Sequence, residues 1–306
     1  MAKAYVFTAN GGPEVESFRD LPRPVPGPGQ LLVAVRAAGV NPADWKRRTG
    51  SRPPGVAPVQ LPAVLGGEVA GVVEQLGADV TGFAVGDAVF GNPVTGGYAE
   101  YTLLPAEVTA HKPPELSFTD AATLPIAAAT AYDGIQQLGL PAGATLLITG
   151  VGGGVGVAAA QIARLAGVRV IGTASSGKKS FVESLGVIYV EPGPGVADRV
   201  RAAAPDGVDA IYDLVGGAAL EAVAGLLADR SKLITAGDRD TVAKLGGSPV
   251  ARARNRAVLD AVARLVVDGE LNPFVTATFP LEQAGEALRA VEGGHARGKV
   301  VIEVAG

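Results

Sequence analysis

Apolar residues come along this chain in two rhythms. Over the first third they form short runs cut by glycine and proline, at residues 2–8, 31–38, 67–74 and 97–104, with one more after the turn at Gly86-Asp87. Runs of that length between turn formers predict strands. Several within roughly 110 residues predict an all-β or barrel-like domain. The rhythm then lengthens. Residues 145–149, 168–173, 209–215 and 232–236 read as buried strands, with helices predicted over 157–166 and 218–228. Helices over 255–268 and 281–292, a strand at 275–279 and a closing strand at 298–304 complete the pattern. The proline-rich segment 22–30 reads as a stiff turn, the segment from Gly39 to Lys46 as a turn ending a strand, and 240–254 as a mobile loop or dimer edge.

The junction after residue 149 organises the rest. Gly150 to Gly156 holds five glycines in seven positions, between an apolar strand and a helix rich in small residues. Strand, glycine loop, helix and strand in about 30 residues is the βαβ unit that holds a dinucleotide. A diphosphate needs backbone N–H groups at close range and the favourable end of a helix dipole, and Cβ atoms would hold it off. The strict G-x-G-x-x-G pattern is not met, because Val155 or Val157 falls at its last position; the looser G-x-x-G-x-x-G is met by Gly150, Gly153 and Gly156. With Gly152, Gly154 and Val155, these form the expected phosphate cradle. A flexible surface turn is the bland alternative.

Composition narrows the class. Of 306 residues, 48% are hydrophobic and 18% charged, which suits a well-buried globule, and the net charge of −4 gives no reason to expect nucleic acid or an anionic membrane. Cysteine is absent, which removes disulfides, thiol catalysis and thiolate zinc sites. Neither a secretory leader nor a membrane-spanning run is legible, so a cytoplasmic protein is expected.

Specific residues now carry a resemblance. Leu65-Gly-Gly-Glu-Val-Ala-Gly-Val-Val-Glu-Gln-Leu-Gly77 and Phe83-Ala-Val-Gly-Asp-Ala-Val-Phe90 resemble the medium-chain dehydrogenase/reductase superfamily. The run from Thr149 to Arg164 is similar to its zinc-independent quinone oxidoreductase branch, with support from Gly39–Asp44, Leu116–Pro125, Asp213–Gly217 and Gly298–Ile302. The resemblance spans essentially the whole chain. It implies an α/β protein: a barrel-like, GroES-like β-rich catalytic domain from residues 1–118 and 273–306, and a doubly wound parallel Rossmann sheet at 119–272 that binds the cofactor. It also implies an active site in the cleft and a homodimer acting on a small molecule.

Zinc-dependent relatives hold a metal with Cys, His and Glu; here Asn41 stands where a ligand is expected. His111 and His295 read as loop residues, and Glu68 as a lone carboxylate bonding local backbone or a neighbouring arginine. No metal is expected. Cofactor choice is read after the second Rossmann strand, where NAD sites place an acid. Gly172-Thr-Ala-Ser-Ser-Gly-Lys-Lys179 has none. Thr173, Ser175, Ser176, Lys178 and Lys179 instead suit a 2′-phosphate, so NADPH is expected. The resemblance points to Lys179 for that phosphate, with Lys178 as the fallback; a solvated turn is the other reading. Relatives often carry a tyrosine beside that phosphate where this chain has Pro192-Gly193.

At the nicotinamide end the resemblance implies Asn41 and Asp44 as catalytic, with Thr130, Leu214, Val215, Gly216, Ala236, Gly237 and Arg297 binding cofactor. Asn41 and Asp44 suit turn capping equally well. The expected reaction is hydride transfer from NADPH to a quinone or an α,β-unsaturated carbonyl. A biosynthetic enoyl reductase, or a low-turnover NADPH-binding structural or sensor protein, are the alternatives. No tyrosine follows the Asn-x-x-Asp segment; Lys46, Asp44 or solvent remain as proton sources. Trp45 is a stacking or packing residue, and 53–58 a loop beside the cleft.

Overall fold

A computed structural model describes residues 1–52, 58–294 and 296–305, so His295 and most of the expected 53–58 loop lie outside the described residues. Two compact units emerge: residues 1–126, 254–267 and 275–306 form the first, and 127–253 with 268–274 the second. The helix at 256–267 groups with the first unit. Arg256 shows one reason, since its guanidinium donates to the carbonyls of Ala106 and Thr109 at 2.7 Å each.

Glycine and proline punctuation sets strand length in the first unit. Its strands are β1 (Ala2–Phe7), β2 (Glu16–Leu21) and β3 (Gln30–Val40), which leads into α1 (Pro42–Arg48). Then follow β4 (Ala63–Val64), β5 (Val69–Leu76), β6 (Ala88–Gly91), β7 (Tyr101–Pro105), β8 (Ala110–His111) and α2 (Phe118–Ala121). Strand β3 is the spine: it runs antiparallel to β5 along its length, and to β7 on its other side. A small sheet in the order β2-β1-β4 stands beside it.

The second unit opens with α3 (Ala129–Leu138), β9 (Thr145–Thr149), α4 (Gly154–Leu165), β10 (Arg169–Thr173), α5 (Lys179–Ser184) and β11 (Ile188–Val190). It continues with α6 (Val196–Ala203), β12 (Ala210–Asp213), α7 (Gly217–Ala224), β13 (Leu233–Thr235), α8 (Arg239–Lys244) and β14 (Ser248–Pro249). The strands pair in parallel in the order β11-β10-β9-β12-β13-β14. That is the doubly wound dinucleotide-binding order, which reverses direction between β9 and β12. Strands buried on both faces explain the unbroken apolar runs read as strands in the sequence. The segment 240–254 is not simply a loop: it carries most of α8 and the edge strand β14.

The chain closes in the first unit with α9 (Arg256–Val267), β15 (Val275–Pro280), α10 (Ala284–Glu292) and β16 (Lys299–Glu303). Strand β16 pairs antiparallel with the end of β3, placing Val300 opposite Val40. One apolar core, including Phe7, Val33, Leu65, Tyr98, Leu288 and Ile302, joins the chain's beginning to its end. The C-terminal segment thus completes the β-rich unit.

Candidate functional site

The glycine loop forms the start of α4, which begins at Gly154 rather than at the expected Val157. Gly150 turns the chain out of β9 with a φ of +70°, a conformation that favours glycine. A Cβ on Gly156 would lie 2.6 Å from the Cα of Val151, so helix and loop meet backbone to backbone. A Cβ on Gly152 would lie 2.8 Å from Cδ of Lys178, whose aliphatic stem crosses the loop there. Gly152 therefore makes room for a lysine of this chain, a reason additional to the ligand's approach. The N–H of Gly150 donates to Oγ1 of Thr173 at 3.3 Å, tying the loop to the end of β10.

The other expected residues of the second unit gather at the same strand ends. A Cβ on Gly150 would meet Val215 Cγ2 at 2.9 Å, and one on Gly237 would meet the Leu214 carbonyl carbon at 3.0 Å. What holds these turns is Asp213, fully buried at the end of β12. Its carboxylate accepts from Thr149 Oγ1 and Thr235 Oγ1 at 2.6 Å each, and from the N–H groups of Val215 and Gly216 at 3.2 and 3.1 Å. One carboxylate so fastens the ends of β9, β12 and β13. Next to it, Asp238 accepts from the N–H of Thr241, its hydroxyl and the N–H of Gly217, which together hold its carboxyl down at about 2. In the sequence Asp213 is legible only as the start of the Asp213–Gly217 motif and Asp238 not at all; the signal for their fastening role is the pairing of each with Thr or Gly at strand ends.

Ser175, Ser176 and Lys179 are exposed, and Lys178 is half-buried. Lys179 Nζ lies 3.9 Å from Glu183 and 5.8 Å from the Tyr189 ring centroid. A cavity of about 430 Å³ opens at the carboxyl ends of β9 and β10, lined by Thr149, Thr173, residues 192–197 and the face of α7 carrying Ala218, Ala219 and Ala222. Its lining from 192 onward was read in the sequence only as the site of a missing tyrosine. Thr130 is engaged by a different network: its hydroxyl accepts from Arg252, which also pairs with Asp133 at 3.0 Å, and its carbonyl accepts from Tyr212.

In the first unit, Asn41 and Asp44 lie in a buried polar cluster. The expected turn at 41–46 is the start of α1, with Asn41 at the N-cap, Pro42 at the first helical position and Asp44 in the first turn. The Asn41 N–H donates to Asp44 Oδ2 at 2.8 Å, and the Tyr98 hydroxyl donates to the same oxygen at 2.8 Å. Burial pushes the Asp44 carboxyl up to about 6 despite both bonds, and pushes the Tyr98 phenol well above its ordinary value. Glu68 corrects its expected role. It takes no arginine, and the backbone it binds is distant: Oε2 accepts from the Ile126 N–H at 2.7 Å, and Oε1 accepts from Asn41 Nδ2 at 2.8 Å and Lys299 Nζ at 2.7 Å. Lys299 also donates to Asn41 Oδ1 at 2.8 Å and to the Val40 carbonyl at 3.2 Å. Arg297 is exposed, its carbonyl accepting from Thr276. Trp45 packs against the apolar core, as the packing reading had it. His111 stacks on Phe83 with centroids 4.6 Å apart and faces the Gly82 carbonyl at 2.9 Å, a loop-stabilising role.

Comparison with known proteins bears directly on this arrangement. Residues 27–114 match the alcohol dehydrogenase GroES-like domain, and residues 194–302 the zinc-binding dehydrogenase family. Human quinone oxidoreductase is 33% identical over 320 residues, covering 95% of this chain and 94% of its own. The chain belongs to the medium-chain dehydrogenase/reductase superfamily, in its quinone oxidoreductase-like branch. A quinone oxidoreductase from Coxiella burnetii superposes with a TM-score of 0.89 at 30% identity, covering 99% of both chains. A mycobacterial protein whose structure is complexed with NADPH gives 0.88 at 29% identity, covering 99% of this chain and 100% of that one. On these relatives the chain is an oxidoreductase of that superfamily. Among the described residues, no helix is long and apolar enough to cross a membrane.

Proposed function

We propose that this protein is a zinc-independent, NADPH-dependent oxidoreductase that transfers a hydride to a quinone or an α,β-unsaturated carbonyl. The observation that carries the reading is the cradle at 150–156, where positive φ and backbone-to-backbone packing leave N–H groups at the start of a helix and no Cβ in the way. The apolar cavity beside Thr149 and Thr173 has the size and lining for the adenosine half. The cofactor, when bound, supplies the hydride.

The chain's own residues do the rest. Gly150, Gly152, Gly153, Gly154, Val155 and Gly156 hold the diphosphate. Ser175 and Ser176 offer hydroxyls, and Lys178 and Lys179 offer ammonium groups, where an NAD site would carry an acid. Leu214 to Gly216 and Ala236-Gly237, fixed by Asp213, line the nicotinamide side, with Thr130 and Arg297 as further contacts. Asn41 and Asp44 serve the reacting end. With its carboxyl pushed up to about 6, Asp44 can hold a proton near neutrality for an acceptor that has become anionic.

Independence from zinc is supported by the donor set. At Asn41 and Glu68 the donors are an amide and a carboxylate, and both are occupied by the Lys299 ammonium. A thiolate or imidazole, the usual zinc donors, is missing there. Turnover of NADPH with a panel of quinones and enones, before and after chelation, tests the reading. Oxidation that chelation leaves intact is expected; tight NADPH binding without oxidation across the panel would sink it.

A further inference from the structure

Residues 191–195, Glu-Pro-Gly-Pro-Gly, are all exposed, and from Pro192 onward they line the cavity beside Thr149 and Thr173. Two prolines and two glycines, the glycines at φ of +92° and +76°, give the segment few side chains of its own to hold it in place. Backbone bonds from the first turn of α6 reach the Gly193 and Gly195 carbonyls. The rest of the segment hangs on the Arg199 side chain. Its Nε donates to the Glu191 carbonyl at 3.0 Å and its Nη1 to that of Pro194 at 2.8 Å. Its Nη2 donates to the carbonyls of Glu191, Pro192 and Gly193 at 2.8, 3.1 and 3.3 Å. Four consecutive carbonyls thus converge on one guanidinium, which a rigid fork of donors can hold and a single ammonium cannot. The arginine starts from a fixed base, because Val196 and Val200 of the same helix are buried in the core of the unit.

We infer that Arg199 is a positioning residue that sets residues 191–194 as one wall of a slot for the adenine ring of the cofactor. The inference rests on the function proposed above. Another wall is the stretch of α7 carrying Ala218, Ala219 and Ala222, whose methyls, with the rings of Pro192 and Pro194, give the cavity apolar surface suited to a planar base. The slot is continuous with the glycine cradle. Thr149 directly precedes Gly150, and Thr173 Oγ1 accepts from the Gly150 N–H at 3.3 Å, so a base here and a diphosphate there belong to one ligand. A wall already clasped spares the ligand the entropy of ordering the segment. Every residue in this chain of contacts lies in the second unit.

Calorimetric titration with two fragments that lack nicotinamide, ADP-ribose and its 2′-phosphate, tests it on the native chain, Arg199→Met and Arg199→Lys. Arg199→Met should weaken both fragments by a similar factor, on the order of tenfold, because the wall serves the base rather than the phosphate. Arg199→Lys should stay within about twofold of Arg199→Met, since one ammonium cannot bridge the clasped carbonyls, and it carries the test alone should Arg199→Met fail to fold. In turnover, the NADPH KM should rise by a similar factor while kcat at saturation holds within about twofold. Unchanged affinity would overturn the inference. So would a loss confined to the 2′-phosphorylated fragment, or full recovery in Arg199→Lys, either of which would make Arg199 a direct ligand of phosphate. A native chain that binds neither fragment would instead overturn the function on which it rests.

Discussion

Asp44 is a buried carboxyl, 4% exposed, held by one backbone N–H and one phenol. Because its value is raised from 3.8 to about 6, the folded chain holds this proton to higher pH than the unfolded chain does. Its contribution to stability is complete below about pH 4 and is lost as the pH rises through about 6, a span worth on the order of 3 kcal/mol. Asp44→Asn removes that slope. Urea unfolding at about pH 4.5 and about pH 7 should show a smaller loss of stability on raising the pH in the variant than in the native chain, and equal losses would contradict the assignment. Asp44 and Asn41 are legible in the sequence as a motif. Their partners are not, because Tyr98 and Lys299 lie 54 and 258 residues away and only the folded sheet brings them in. A buried lysine leaves no mark on a linear pattern in which lysines are ordinarily solvated.

Elements were read well where one force sets them. The parallel strands declare themselves because both faces are apolar; β3 outruns its expected end at residue 38 because β16 pairs with 37–40. The sequence leaves α1 open between a turn and a helix because Asn-Pro and Asp suit either fate, and what decides is the far end of the helix. There Arg48, 1% exposed, pairs with buried Glu16, with Glu292 on α10 at 2.7 Å and with the Gly11 carbonyl at 3.1 Å. Breaking such a buried pair costs about 3–5 kcal/mol. Arg48→Met should therefore lower Tm by several degrees and loosen Asn41 and Asp44 at the other end of α1, which falling activity below the melting range would report. The glycine loop offers a sharper contrast. Gly156→Ala drives a Cβ into fixed backbone and should destabilise by about 1–3 kcal/mol. Gly152→Ala crowds the movable Lys178 stem and otherwise makes only an ordinary contact with Ala174 Cβ at 3.5 Å, so stability should hold within about 0.5 kcal/mol while NADPH affinity falls as the lysine is displaced. Thermal melts with and without NADPH separate the two, and matching losses of Tm without cofactor would refute the distinction.

At the scale of the whole molecule, the sheet order 3-2-1-4-5-6 in one unit and the β3-centred sheet in the other reproduce the architecture that the motifs implied. Substrate identity was beyond the sequence, since a pocket's shape depends on side chains drawn from distant segments. The central claim concerns the end of β10, where hydroxyls and lysines replace the acid of an NAD site. Steady-state kcat/KM with NADPH and with NADH, on one quinone acceptor, tests it most directly. A preference for NADPH of at least about tenfold is expected, as befits a charge-assisted contact to the 2′-phosphate. Equal values, or a preference for NADH, would contradict it.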